Sequence, residues 1–418
     1  MKLTRREWSL AAALAAQAGA WNCSPTQEMQ TASQSQPGDP AGGNVLERSI
    51  VLDLHCDTPM LIVDEGYDLG ELHDHGQVDI PRMRQGGVTG VFFSIYMSAT
   101  AQPPPEARKR ALAIIDAVVK EVARHPDDLL LAANTADILR AKQENRIAIL
   151  MGVEGGHMID SSIDALRELH RLGARYLTLT HSAPTPWAGS SGSDEGPPGL
   201  TDFGREVVRE MNRLGTMVDV SHASDQTCLD AIEASMAPVI ASHSSCRALS
   251  DHPRNMTDEL LRALAAKGGV AHINYYNAFL DADYRRRSNE LGSFSERRAE
   301  VRKMHADDPK QLGAELRKID HERIASLGRL PLSRLLDHFE HAVKVAGVDH
   351  VGLGSDFDGV NDETPEDMED ISKIPNLVAG LQERGFSDAD IEKILGGNTM
   401  RVMGEVERLG EEARANAA

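Results

Sequence analysis

Apolar runs bounded by turn residues recur along the chain at 49–54, 88–96 (VTGVFFSIY), 147–153 (IAILMGV), 174–180, 216–221, 238–242, 269–275 and 350–355. These predict eight short strands. Between most of them the apolar positions switch to helical spacing, over Glu106–Arg124, Ser162–Leu172, Asp202–Leu214, Ser224–Ala234 and Thr257–Lys267. In the last of these Thr257 is the expected N-cap, and Leu260, Leu261 and Leu264 form the buried stripe. Strands alternating with helices imply a parallel sheet covered on both faces. Eight such units predict an α/β fold of the closed (β/α)₈ TIM barrel type, with a doubly wound open sheet as the alternative.

A barrel of this kind carries its chemistry at the C-terminal ends of its strands. The eight runs end in polar residues of one chemical kind: His55 and Asp57 after the first, Glu154 after the third, His181 after the fourth, His222 after the fifth, His243 after the sixth and Asp356 after the eighth. Two stretches break the repeat. Residues 276–330 are dense in charge and predict a helical insertion before strand eight, acting as a lid or as an oligomer contact such as a homodimer would use. Residues 187–200 (WAGSSGSDEGPPGL) form a Gly, Ser and Pro loop expected over the mouth of the barrel, where specificity is often decided. Residues 366–407 add helices expected to pack outside the barrel.

Composition narrows the partners. Acidic residues outnumber basic ones 64 to 44, and no Lys/Arg-rich run joins exposed aromatics, so nucleic acid is not an expected partner. Residues 1–22 combine Lys2, Arg5 and Arg6 with an apolar run from Ser9 to Ala20 that is too short for a transmembrane anchor. The order Thr4-Arg5-Arg6-Glu7-Trp8-Ser9-Leu10 resembles a twin-arginine export signal, which implies a folded protein delivered to the periplasm or cell envelope. Ala18-Gly19-Ala20 offers a cleavage site. Lipidation at Cys23 is disfavoured by Trp21 and Asn22 before it. Residues 23–44 read as a flexible linker, leaving 45–410 as one catalytic domain. The C-terminal ERLGEEARANAA lacks the apolar tail of a lipid-anchor signal, so a C-terminal anchor is not expected. Cys56, Cys228 and Cys246 show no Cys-x-x-Cys spacing and predict no disulfide framework.

The strand-end residues define the chemistry. In a strand, residues two apart point the same way, so His55 and Asp57 can grip one divalent cation; taken alone, a salt-linked pair is the simpler reading. Glu154 stands in GVEGGH between glycines that admit a close neighbour. A buried carboxylate there needs a cation or a metal. With His222 and His243 the set numbers five, more than one tetrahedral zinc uses. It suits two ions roughly 3.5–4 Å apart sharing a carboxylate and a hydroxide, which activates water for amide hydrolysis.

The order of motifs resembles the membrane dipeptidase (renal dipeptidase) family of zinc hydrolases, metallopeptidase family M19, in its bacterial branch. The matching stretches are LHCDTP at 54–59, GVEGGH at 152–157, YLTLTHS and TPW within 176–187, GLTDFGREVVREMNRLG at 199–215, VDVSH at 218–222, ASHSS at 241–245, HPRN at 252–255 and GLGSDFDG at 352–359. The resemblance implies a metal-dependent hydrolase barrel of amidohydrolase type with two Zn²⁺ per chain. His55 and Asp57 would hold one, His222 and His243 the other, and Glu154 would bridge them. It further implies that His181 contacts the substrate carbonyl, Arg254 holds the substrate carboxylate, and Asp356 holds the water or the amino group and carries the proton. Asp358 is the second carboxylate of the strand-eight motif. The expected activity is hydrolysis of dipeptides with a free C-terminal carboxylate, D-residues there included, by attack of a metal-bridging hydroxide. The alternatives are a related two-metal amidohydrolase acting on N-acyl amino acids, lactones or cyclic amides, and a non-catalytic dipeptide-binding protein.

Overall fold

The computed structural model describes residues 44–98, 104–292 and 294–416. The expected export signal, Cys23 and all but the last residue of the linker lie outside the described residues.

Eight parallel strands close on themselves: β1 (Leu52–Cys56), β2 (Gly90–Tyr96), β4 (Ile147–Glu154), β5 (Ala174–Thr178), β6 (Met217–Asp219), β7 (Val239–Ala241), β8 (Val270–Ile273) and β9 (Val351–Leu353). Pairing of β2 with β4 and of β9 with β1 completes the ring. The architecture is a TIM barrel. A ninth strand, β3 (Leu129–Leu131), pairs with the first half of β4 outside the ring. It was not among the predicted strands, because a three-residue apolar run is too short to show a period.

Alternation along each strand separates two apolar layers. Leu52, Leu54, Phe92, Leu150, Tyr176, Met217, Ile240 and Val270 pack together inside the barrel. Val51, Phe93, Ile149, Leu177, Val239 and Leu353 face the surrounding helices. The helices begin where side chains satisfy their first amides: Ser162, Thr201, Ser224 and Thr257 accept from Ala165, Gly204, Thr227 and Leu260.

The C-terminal region departs from expectation. Helix Asn398–Ala415 does not merely lie against the outside: Val402, Met403 and Val406 join the apolar cluster of the barrel interior. Its first turn is pinned at the N-terminal ends of β8 and β9, with Asn398 donating to the carbonyls of Val348 and Val351, and Arg401 to those of Gly268 and Asp349. The helix therefore closes one end of the barrel and leaves the C-terminal end open for the site. The 276–330 stretch is helical, with helices Asn277–Leu280, Ala282–Leu291, Ser295–Met304 and Pro309–Leu327.

Candidate active site

At the C-terminal ends of the strands Glu154 is the geometric centre. Its Oε2 lies 3.5 Å from His55 Nε2, which is itself 3.4 Å from Asp57 Oδ2. Its Oε1 lies 3.0 Å from His222 Nε2 and 3.4 Å from His243 Nε2, and those two nitrogens are 2.9 Å apart. One carboxylate thus presents one oxygen to each of two donor groups. His181 Nε2 stands 3.6 Å from Glu154 Oε1, and Asp356 Oδ1 stands 3.9 Å from His55 Nε2.

Protein groups behind the imidazoles set which nitrogen faces inward. Ser242 Oγ donates to Asp219 Oδ2 at 2.7 Å, so its one proton is committed, and it accepts from His243 Nδ1 at 2.7 Å. That leaves the Nε2 lone pair of His243 aimed at Glu154. Nδ1 of His55 lies 2.8 Å from the Tyr176 hydroxyl, and Ser94 donates to Glu154 Oε2 at 3.0 Å. Tyr176, Asp219, Ser242 and Ser94 escaped the sequence reading. All four are fully or almost fully buried on strands or directly after one, where they read as core.

Charge in this cluster is unbalanced. Burial drives the His222 and His243 imidazoles well below their usual range, with Arg254 adding to the effect, so both are neutral. Burial opposes ionisation of Glu154, but His55 and His181 together with the hydrogen bond from His222 hold it ionised. Burial also lowers His55, yet Tyr176, Glu154 and Asp57 outweigh it and keep that ring protonated. Burial pushes Asp356 well up; His55 opposes this, while Asp57 and Glu154 add to it.

The donor set fits divalent cations. Among the described residues, His55 Nε2 and Asp57 Oδ1 are buried without a hydrogen-bond partner. Ligand atoms of His55, Asp57 and Glu154, and again of Glu154, His222 and His243, lie within 4.8 Å of one another. Buried carboxylates and neutral imidazoles at that spacing are what a cation with N and O ligands requires. A cation would also displace the proton on His55.

Beside the cluster opens a cavity of about 320 Å³, walled by Asp57, Met60, Tyr96, Glu154, His181, His222, Arg254, Tyr276, Phe279, Asp356 and the 358–361 turn. Arg254 is 8% exposed and has no carboxylate within ion-pair distance among the described residues. Among the described residues it donates only to Ser244 Oγ at 3.4 Å and to the His243 carbonyl at 3.1 Å, and finds no partner for its Nε. The Phe279 ring lies against its guanidinium, 5.3 Å from the centroid. Asp358 is engaged elsewhere: it accepts from Thr58 Oγ1 at 2.6 Å and from the Gln77 amide at 2.7 Å, and burial pushes it up to about 7. Gly359 is required where it stands, because a Cβ there would overlap carboxylate oxygens of Asp57 and Asp356.

The loop 187–200 is placed otherwise than expected. None of its residues lines the cavity. It works from behind: Ser190 Oγ donates to the His181 carbonyl and, at 3.3 Å, to that of His222, while the Ser191 amide donates to the His222 carbonyl at 2.8 Å. These bonds hold His222 in a left-handed conformation, φ +65°.

The membrane dipeptidase family model, peptidase family M19, matches residues 42–417. The chain belongs to that family. It is 34% identical over 383 residues to the uncharacterized dipeptidase C965.12 of Schizosaccharomyces pombe, covering 87% of this chain and 82% of that one. Its fold matches the probable dipeptidase PvdM from Pseudomonas aeruginosa with TM-score 0.72 and 25% identity, over 87% of this chain and 97% of that one. It also matches a metallopeptidase from Rhodobacter sphaeroides liganded with a phosphinate mimic of the dipeptide L-Ala-D-Ala, with TM-score 0.70 and 24% identity, over 86% and 99% of the two chains. As an M19 member the chain is a metal-dependent dipeptidase. Among the described residues no helix is long and apolar enough to cross a membrane.

Proposed function

We propose that the enzyme cleaves the peptide bond of small dipeptides with two zinc ions, one held by His55 and Asp57 and the other by His222 and His243, with Glu154 shared between them. The observation that carries this reading is the division of Glu154, whose two oxygens face separate His-containing groups at 3.0–3.5 Å. Bound there, two cations would supply an activated water and polarise the scissile carbonyl.

The chain's own residues do the rest. Arg254 offers unused N–H donors from a buried, unpaired guanidinium, suited to a planar carboxylate at the C-terminal end of the substrate. His181, lowered by burial and by Arg254, is a neutral donor beside the position of the carbonyl oxygen. Asp356, aligned by Asn274 Nδ2 on its Oδ2 at 2.8 Å, takes the proton of the attacking water and returns it to the leaving amine. The cavity of about 320 Å³ lies at the small end of ligand pockets, which favours dipeptides over longer chains. The ligand of the Rhodobacter sphaeroides relative supports extending the substrates to a C-terminal D-residue. The Arg5-Arg6 segment supports export of the folded enzyme.

The test is to purify residues 24–418, count metal by elemental analysis, and assay L,L, L,D and D,D dipeptides with an N-acyl amino acid and a lactone before and after chelation. About two zinc ions per chain and chelator-sensitive dipeptide cleavage are expected. Turnover of the lactone or acyl amino acid alone would move the substrate class, and a protein that binds no metal would end the reading.

A further inference from the structure

The 276–330 insertion is expected from sequence to be a lid or an oligomer contact, but its hydrogen bonds run elsewhere. Bonds from both its ends and its middle meet at residues 362–364, immediately after the turn that carries Asp356. That turn is strained: Asp356, Asp358, Asn361 and Asp362 all have φ between +51° and +65°. Side chains other than glycine adopt that region at a cost and keep it only where the surroundings over-determine it.

Thr58 and Gln77 hold the turn at Asp358, and the insertion holds its 362–364 end. At its start, the Asn277 amide donates to the Glu363 carbonyl at 2.9 Å and its side chain to the Thr364 carbonyl at 3.1 Å. At its end, Arg329 Nη1 reaches the carbonyls of Asp362 at 2.6 Å and Thr364 at 2.8 Å, and the Leu330 carbonyl accepts from the Glu366 amide at 2.8 Å. Between these, the Glu363 carboxylate is 1% exposed and is gripped by Arg323 Nε at 2.6 Å and the Tyr284 hydroxyl at 3.1 Å. Arg323 spends its remaining arms inside the insertion, on Ser288 Oγ and the Gly292 carbonyl. A lid would need contacts that break as it opens. This is a dry ion pair with its polar atoms bonded, joined to main-chain bonds at both ends of the insertion.

We propose that the insertion is a fixed brace, and that Arg323, Glu363 and Arg329 are positioning residues which hold the 356–364 turn so that Asp356 faces the cation-binding cluster. The inference rests on the reading of Asp356 as the proton carrier. Displacing such a group by about 1 Å is enough to cost about a hundredfold in rate while substrate contacts elsewhere persist.

The test compares Arg323→Met/Glu363→Gln, which removes both buried charges together, with Arg329→Leu, which leaves the ion pair intact and carries the test if the double variant does not fold. Arg323→Lys is the conservative control. For each, kcat, KM, metal content and amide exchange of residues 355–364 are measured. We expect exchange in 355–364 to quicken by about tenfold or more while residues 150–157 stay protected. We expect kcat to fall about ten- to a hundredfold at nearly constant KM and metal content, with Arg323→Lys recovering part of the loss. Unchanged exchange in 355–364 would overturn the brace, as would a raised KM at unchanged kcat, which is the signature of a lid. Quickened exchange with wild-type kcat would overturn the link to Asp356. Asp356→Asn is run alongside: if it keeps full activity, the reading of Asp356 fails, and the exchange data still decide the brace.

Discussion

Arg254→Met is the substitution that most directly interrogates substrate choice. The guanidinium carries five N–H donors, of which Ser244 and the His243 carbonyl use two, leaving three for a ligand. A fork of two charge-assisted bonds to a carboxylate in a water-excluded wall contributes about 1.5–3 kcal/mol per bond, roughly 3–6 kcal/mol in all. At about 1.4 kcal/mol per decade, its loss corresponds to about two to four orders of magnitude in kcat/KM. Methionine keeps the contact with the Phe279 ring and approximates the length of the side chain. The assay pairs a dipeptide having a free C-terminal carboxylate with the same dipeptide as its C-terminal amide. The wild-type enzyme should prefer the free acid by the factor above, with the deficit of the variant falling mainly on KM. The variant should treat the two substrates alike, because it has lost only what the amide never had. An equal loss on both substrates would refute the reasoning and assign Arg254 to the electrostatics of His222 and His243 instead.

Two further outcomes follow from the groups behind the ligands. Ser242→Ala severs Asp219 from His243 and should weaken cation binding about 10–100-fold in a chelator-competition titration, with the fold retained by circular dichroism; unaltered affinity would remove Ser242 from the orienting role. Burial pushes His272, bonded to the Ala241 carbonyl and to Thr399, down to about 3. The unfolded chain therefore takes up that proton near pH 6.5 and the folded one does not, so stability is lost as pH falls from about 6.5 towards 3. His272→Gln should flatten the fall in unfolding free energy, obtained from urea titrations of the metal-free protein between pH 6.5 and 4.5, by up to about 1.4 kcal/mol per pH unit. An unchanged slope would exclude His272 and leave the other histidines lowered by burial to account for it, His170, His252 and His338 at about 4 and His181, His222 and His243 among them.

The barrel was legible because its strands are buried on both faces and so stand out as continuous apolar runs. Strand ends are also where a barrel must place its polar side chains, which is why His55, Asp57, Glu154, His181, His222, His243 and Asp356 stand out together along the sequence. What escaped had a different physical basis. β3 is too short for periodicity. The helix from Asn398 has an apolar stripe that looks the same whether it covers the barrel or closes its end. The loop 187–200 advertises its flexibility through Gly and Ser, yet it spends its hydroxyls and amides on the carbonyls of His181 and His222. Tyr176 and Asp219 are indistinguishable from core residues until the ring brings a histidine against the one and Ser242 against the other.

The seam between the first and last strands has a consequence for how the enzyme comes into being. The Asp356 amide donates to the His55 carbonyl at 3.0 Å and the Asp57 amide to the Phe357 carbonyl at 2.8 Å. These bonds join residues about three hundred positions apart, so they can form only after most of the chain has been synthesised and ordered. Loop closure over such a span is slow, and it is the step that brings Asp356 to His55. A nascent chain can gather His55, Asp57 and Glu154 early, but it must wait for the seam before it holds every residue of the site. Appearance of activity during refolding should therefore lag behind recovery of helical signal, and its rate would time the closing of the ring.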